Sequence, residues 1–193
     1  MQCIESHAHA AAGLFLARQS TRPANGGSTG SGRLRSDPGH QPTARGRRVR
    51  SQRIIYLRDA YKLEYFANSE WVDPPARMLP PLLVSALERS GAFRAVIQTP
   101  GSASGDLRLD TQVIRLQHEF QTTPSHARFT LRAYLVDDKS RRVVAWREFE
   151  ADVPAASDDP YGGVVAANKA VQMVLADLSA FCAEATRGFT AGK

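Results

Sequence analysis

A chain of 193 residues and 21.1 kDa, 42% hydrophobic and with a formal net charge of +6, suits one domain with room for a tail. The charge is unevenly placed: through Arg53 there are nine arginines, no lysines and only Glu5 and Asp37, so 9 − 2 = +7, and the remainder carries 16 − 17 = −1. A nucleic-acid-binding domain carries its basic excess on its folded surface, so this nearly neutral remainder excludes that class for the domain.

Residues 1–52 have the composition of a disordered tail. Arg22 to Arg50 is rich in Gly, Ser, Pro, Thr and Arg, and beyond Leu34 and Val49 it has almost nothing large and apolar to offset chain entropy. Ala10 to Ala17 is the only candidate signal core; it is short, and no Lys or Arg precedes it. The tail admits three readings. It is a flexible extension, a misassigned start that replaces a natural signal and lipid-anchoring cysteine, or an arginine arm for an anionic partner. The folded domain is expected over residues 53–185, with 186–193 fraying.

Arg53 to Leu57 and Lys62 to Phe66 read as strands from their β-branched and aromatic content. A helix follows, with Asp73 as its expected N-cap and Pro74 and Pro75 just inside. Met78, Leu79, Leu82, Leu83, Ala86 and Leu87 recur at helical spacing and form its apolar face, and Gly91 supplies a left-handed C′ residue. Pro80 and Pro81 predict a kink, or a helix that starts nearer Pro80. Phe93 to Ile97 is a further strand, and Thr99 to Gly105 a loop.

Asp106 to Phe120 reads as a long strand whose apolar parity changes. Leu107, Leu109, Thr111 and Val113 share one face, whereas Ile114, Leu116 and Phe120 fall on the other phase. A bulge near Val113–Ile114 accounts for the change. Arg128 to Val136 alternates, with Phe129, Leu131, Ala133 and Leu135 inward. It turns at Asp137 to Ser140 and runs back through Val153. A final helix is capped by Asp158 or Asp159, with a stripe of Val164, Ala167, Val171, Val174, Leu175, Leu178 and Phe181. The elements predict a two-layer α+β sandwich: a mostly antiparallel sheet with two amphipathic helices on one face. No apolar run approaches the ~20 residues that span a bilayer.

Nothing in the sequence assembles a catalytic, cofactor-binding or metal-binding constellation. Gly162-Gly163 at a helix start matches neither common nucleotide motif and reads as close packing or a tight entry turn. His118 and His126 flank a turn without a carboxylate or cysteine at ligand spacing. The carboxylates Asp73, Asp110, Asp137, Asp138, Glu148 and Glu150 have no sequence reason to pair across a cleft. Cys3 and Cys182 give neither zinc spacing nor a disulfide framework, and Cys182 reads as a small buried hydrophobe. Tyr65, Phe66, Trp71 and Tyr161 are the candidate partner contacts, against the alternative that they are lids over the core.

Two long stretches carry a family resemblance. LEYFANSEWVDPPARML with LLVSALERSGAFRAV, and SDDPYGGVVAAN from Ser157 to Asn168, resemble the ABC-type transport auxiliary lipoprotein family across about Arg53 to Cys182. The resemblance implies a non-enzymatic accessory subunit of an MCE-type (mammalian cell entry) lipid transport system at the periplasmic face of the outer membrane. Its implied partners are an MCE-domain protein, a permease and an ATPase, with phospholipid or other hydrophobic cargo. Separately, exposed strands and a free sheet face favour self-association into a homo-oligomer. The chain departs from the family in one respect: no small-residue box stands directly before a cysteine, since only two residues precede Cys3. The competing expectation is a stand-alone adaptor whose basic tail binds an anionic partner. On the transport reading, removing residues 1–50 leaves a folded, partner-competent remainder.

Overall fold

The computed structural model describes residues 12–18, 51–98 and 105–191. Their elements run β1 (Ala12–Arg18), β2 (Arg53–Leu57), β3 (Leu63–Glu70), α1 (Pro75–Arg89), β4 (Phe93–Gln98), β5 (Leu107–Glu119), β6 (His126–Asp137), β7 (Val143–Pro154) and α2 (Pro160–Ala191). The seven strands form one sheet organised around β5. One edge of β5 pairs along its length with β6, from Leu107↔Asp137 to Glu119↔His126, and β6 pairs with β7. Its other edge is shared. β1 takes the N-terminal half, from Ala12↔Thr111 to Leu16↔Leu107, and β2 takes the C-terminal end, where Tyr56↔His118 is parallel. β4 then pairs with β1, and β3 with β2.

β1 corrects the expectation for the tail. Ala12–Arg18 lies within the stretch whose composition reads as disorder, yet it pairs on both sides as a strand. Composition counts apolar residues over a long window, and seven residues of strand are diluted in it. Residues 1–11 and 19–50 of the tail, Cys3 among them, and the Thr99 to Ser104 part of the expected loop lie outside the described residues.

The α+β sandwich is present. Leu83 and Leu87 of α1 and Val174 and Leu178 of α2 pack in one core with Leu107 and Leu109 of β5 and Phe129, Leu131 and Leu135 of β6. The change of apolar phase in β5 is a register shift between Val113 and Arg115, so the bulge stands where parity places it. Leu107 and Leu109 before it, and His118 after it, are buried on the helix side.

α1 differs from its expected form at its start. It begins at Pro75 and runs through Pro80 and Pro81, which leaves the carbonyls of Ala76 and Arg77 without their helical donors. Pro74 occupies the N-cap and no side chain bonds the first amides. Asp73 is engaged elsewhere, 3.3 Å from Arg77. Leu82, expected on the apolar face, is 47% exposed. Gly91 does end the helix, at φ 64.

α2 is long and apolar enough, by length and composition, to cross a bilayer over Pro160–Gly188, contrary to the expectation that no such run exists. Its apolarity has a simpler use. Ala170, Val174, Leu178 and Cys182 are at most 1% exposed, seated on the sheet. Burial also pushes the Cys182 thiol up to about 12, so it is a packing residue at neutral pH. The helix continues through Gly188 to Ala191, past the point where fraying is expected.

Candidate functional site

The four aromatics singled out in the sequence do not converge. Register places Tyr65 opposite Ile55 and Glu64 opposite Tyr56, so Tyr65 and Phe66 lie on opposite faces of β3. Tyr65 is on the helix-free face, 39% exposed, with the Arg53 guanidinium 5.4 Å above its ring. Phe66 is on the helix side, 4.5 Å from Tyr56 and 6.3 Å from Phe120. Trp71 is partly buried against the core and its amide donates to the carbonyl of Gln52 at 2.7 Å. Tyr161 is 77% exposed in the first turn of α2. Among the described residues no ring contact joins any two of the four.

A buried latch that sequence spacing hides holds β5, β6 and α2 together. His118 Nε2 lies 2.8 Å from Ser125 Oγ, and the Ser125 amide donates to Asp158 Oδ1 at 2.8 Å. The Ser125 hydroxyl and amide together hold the Asp158 carboxyl below its usual range. With that hydroxyl given to Asp158, Nε2–H donates to Ser125 Oγ and Nδ1 is left as a bare acceptor without a partner. A serine nucleophile needs its carboxylate on the far ring nitrogen of the histidine; here it is on the serine. Ser125 is also closed to solvent. The arrangement is structural.

The two aspartates before α2 divide the work. Asp158 holds Ser125, and Asp159 Oδ1 caps the helix by accepting from the Gly162 amide at 2.7 Å. The glycines serve close packing. A Cβ on Gly163 would collide with the His118 ring, and one on Gly162 with Ser157. The two histidines are not brought together either: His126 is on the other face of β6, with Nδ1 2.6 Å from Asp152 Oδ1.

The helix-free face of β5, β6 and β7 is a ladder of paired charges. Arg128 Nη2 meets Asp152 at 2.7 Å and Glu119 at 3.5 Å, and Arg132 meets Glu148 at 2.8 Å. Thr130 donates to Glu150 at 3.3 Å. The ladder ends in Tyr134 stacked on Trp146 at 6.3 Å, with Trp146 61% and Val143 55% exposed. Two hollows flank this frame. One, of about 470 Å³, lies on the same face where β2, β3 and β5 meet. The other, of about 490 Å³, runs between Leu82 and Arg89 of α1 and Asn168 and Gln172 of α2.

The domain thus has two layers, an open polar face, an exposed aromatic edge and two surface hollows. The chain matches the model of the ABC-type transport auxiliary lipoprotein component over residues 46–179, and it belongs to that family. The family is thus one of auxiliary components rather than of named catalysts, and its lipoprotein character associates it with the cell envelope. Crystal structures share the fold. A Xanthomonas campestris protein of the DUF330 family is 24% identical with a TM-score of 0.68, covering 75% of this chain and 82% of its own. An uncharacterized protein is 16% identical with a TM-score of 0.55, covering 70% and 82%. No curated protein matches the chain.

Proposed function

We propose that the protein is a non-catalytic auxiliary subunit of an MCE-type ABC lipid transport system, docking at the periplasmic face of the outer membrane. Membership of the transport-auxiliary family over residues 46–179 carries this reading. The open face supports it. Its charges are neutralised within the ladder, and an exposed Trp146 and Val143 at its end offer the aromatic and aliphatic area typical of interfaces. The energy for transport would come from the ATPase, and this subunit would supply contact and position. Self-association belongs to the same reading, because the outer edge of β7 is free for pairing among the described strands.

The test is co-purification of the tagged full chain from membranes with its MCE-domain protein, permease and ATPase. Retention of those subunits supports the proposal, and a tagged chain that captures none of them overturns it. Tyr65→Ala and Tyr161→Ala are the informative contact variants, since both residues are exposed. Trp71→Ala is not, because that ring packs on the core and its loss would destabilise the domain.

A further inference from the structure

The hollow on the helix-free face is built from three strands. Ile55 and Leu57 of β2, Leu63 of β3 and Ile114 of β5 line it with apolar surface. Its volume of about 470 Å³ falls in the range of small-molecule sites. The bulge in β5 shapes it. An extra residue at Val113–Arg115 lets Ile114 and Arg115, neighbours in sequence, line the same hollow.

Arg115 is the feature without a structural use. Three other half-buried arginines are each held by carboxylates: Arg108 by Asp110 at 3.0 Å, Arg128 by Asp152 and Arg132 by Glu148. Among the described residues the Arg115 guanidinium has no hydrogen bond, ion pair or ring contact. The nearby carboxylate of Glu119 is already engaged, by Gln117 at 2.6 Å and by Arg128. The Arg115 nitrogens are not among the buried polar atoms left without a partner, so water still reaches the head of a partly buried side chain that lines the hollow, and the fork is free to receive an anion. That planar fork suits a carboxylate or phosphate.

We propose that this hollow binds a single-chain anionic amphiphile, with its carboxylate or phosphate head on Arg115 and its hydrocarbon chain against Ile55, Leu57, Leu63 and Ile114. That such a ligand is cargo rests on the transport reading; the site itself rests on the geometry.

The experiment is calorimetric titration of the full chain with dodecanoate, dodecyl phosphate and dodecyl maltoside, each below its micelle concentration. The expected result is saturable one-to-one binding of an anionic probe about tenfold or more tighter than the uncharged maltoside, because a charge-assisted contact is worth at least that. The tighter of the two anions identifies the head group. Arg115→Gln should bring the anions to the level of the maltoside, and Ile114→Glu, which sets a carboxylate beside the head, should weaken them as well. Equal affinity for charged and uncharged probes, unchanged binding in Arg115→Gln, or no saturable binding overturns the proposal. The wild-type comparison needs no variant, so it decides even if a variant fails to fold. Co-purification with the transport subunits but no amphiphile binding removes this inference alone; binding without co-purification removes the transport reading alone.

Discussion

Gly163 occupies a helical position, where alanine is normally worth about 1 kcal/mol more than glycine. Here the sign reverses. A Cβ would meet the His118 ring, which is 3% exposed and tied to Ser125, so it cannot swing aside as a surface side chain would. Gly163→Ala should therefore lower stability by about 1–3 kcal/mol, read as a drop in the urea midpoint; a rise would show that the ring yields. The same ring sets a pH dependence. Burial pulls the His118 pKa below 6.5, partly opposed by Asp158 and Asp159. Between the lowered value and 6.5 the unfolded chain binds more protons than the folded one, so this contribution is full above 6.5 and lost as pH falls through the folded value. The Asp158 and Asp159 carboxyls lie below 3.8, and their contribution is full above 3.8 and lost only in the more acid range. The two windows are separable. His118→Gln keeps a donor toward Ser125 and should flatten the midpoint just below pH 6.5 while leaving the acid loss in place. Close packing at Gly162-Gly163 was legible in the sequence, but its partner His118 and the latch were not, because Ser125 and Asp158 are 33 residues apart and no local pattern links them.

Elements were readable where one periodicity decides them. The bulge in β5 followed from apolar parity alone, because a half-buried strand cannot change phase without an extra residue. The stripe of α2 and the turn at Gly91 followed in the same way from helical spacing and the need for φ > 0. Helix starts were harder, since Asp73 and the Asp158–Asp159 pair look alike as caps and only tertiary partners separate them. Asp73 meets Arg77 on an exposed turn, whereas Asp159 accepts from the Gly162 amide. Asp159→Ala should cost about 1 kcal/mol, and Asp73→Ala less than about 0.5 kcal/mol. Thermal unfolding of the two variants side by side checks this, and equal losses would refute the assignment. The candidate site was legible only in its parts. Tyr65 and Phe66 are adjacent in the chain but on opposite faces, and the isolation of Arg115 emerges only when the register of β5 against β2 and β6 is known.

At the scale of the whole molecule, the sheet depends on how β5 shares its second edge. β4 meets no other strand than β1 among the described residues, so β1 is what joins β4 to the rest of the sheet. Apolar packing alone would hold β4 otherwise, through Phe93 against the core. A chain beginning at Ser51 keeps most of the family-matched region, residues 46–179, yet lacks β1. Its β4 would present an unpaired edge over Phe93 to Gln98, and the N-terminal half of β5 one over Leu107 to Thr111. Exposed edges of that kind pair with other chains. The truncated chain should therefore unfold at a lower urea concentration, self-associate in light scattering, and lose hydrogen-exchange protection first in β4. This reverses the expectation that removal of residues 1–50 leaves the domain intact. The contrast with the basic-tail reading becomes sharper for it: a truncated chain with unchanged midpoint and protected β4 amides would mean that β1 adds nothing to the fold, whereas lost protection in β4 would make any lost partner binding a consequence of the sheet rather than of tail charge.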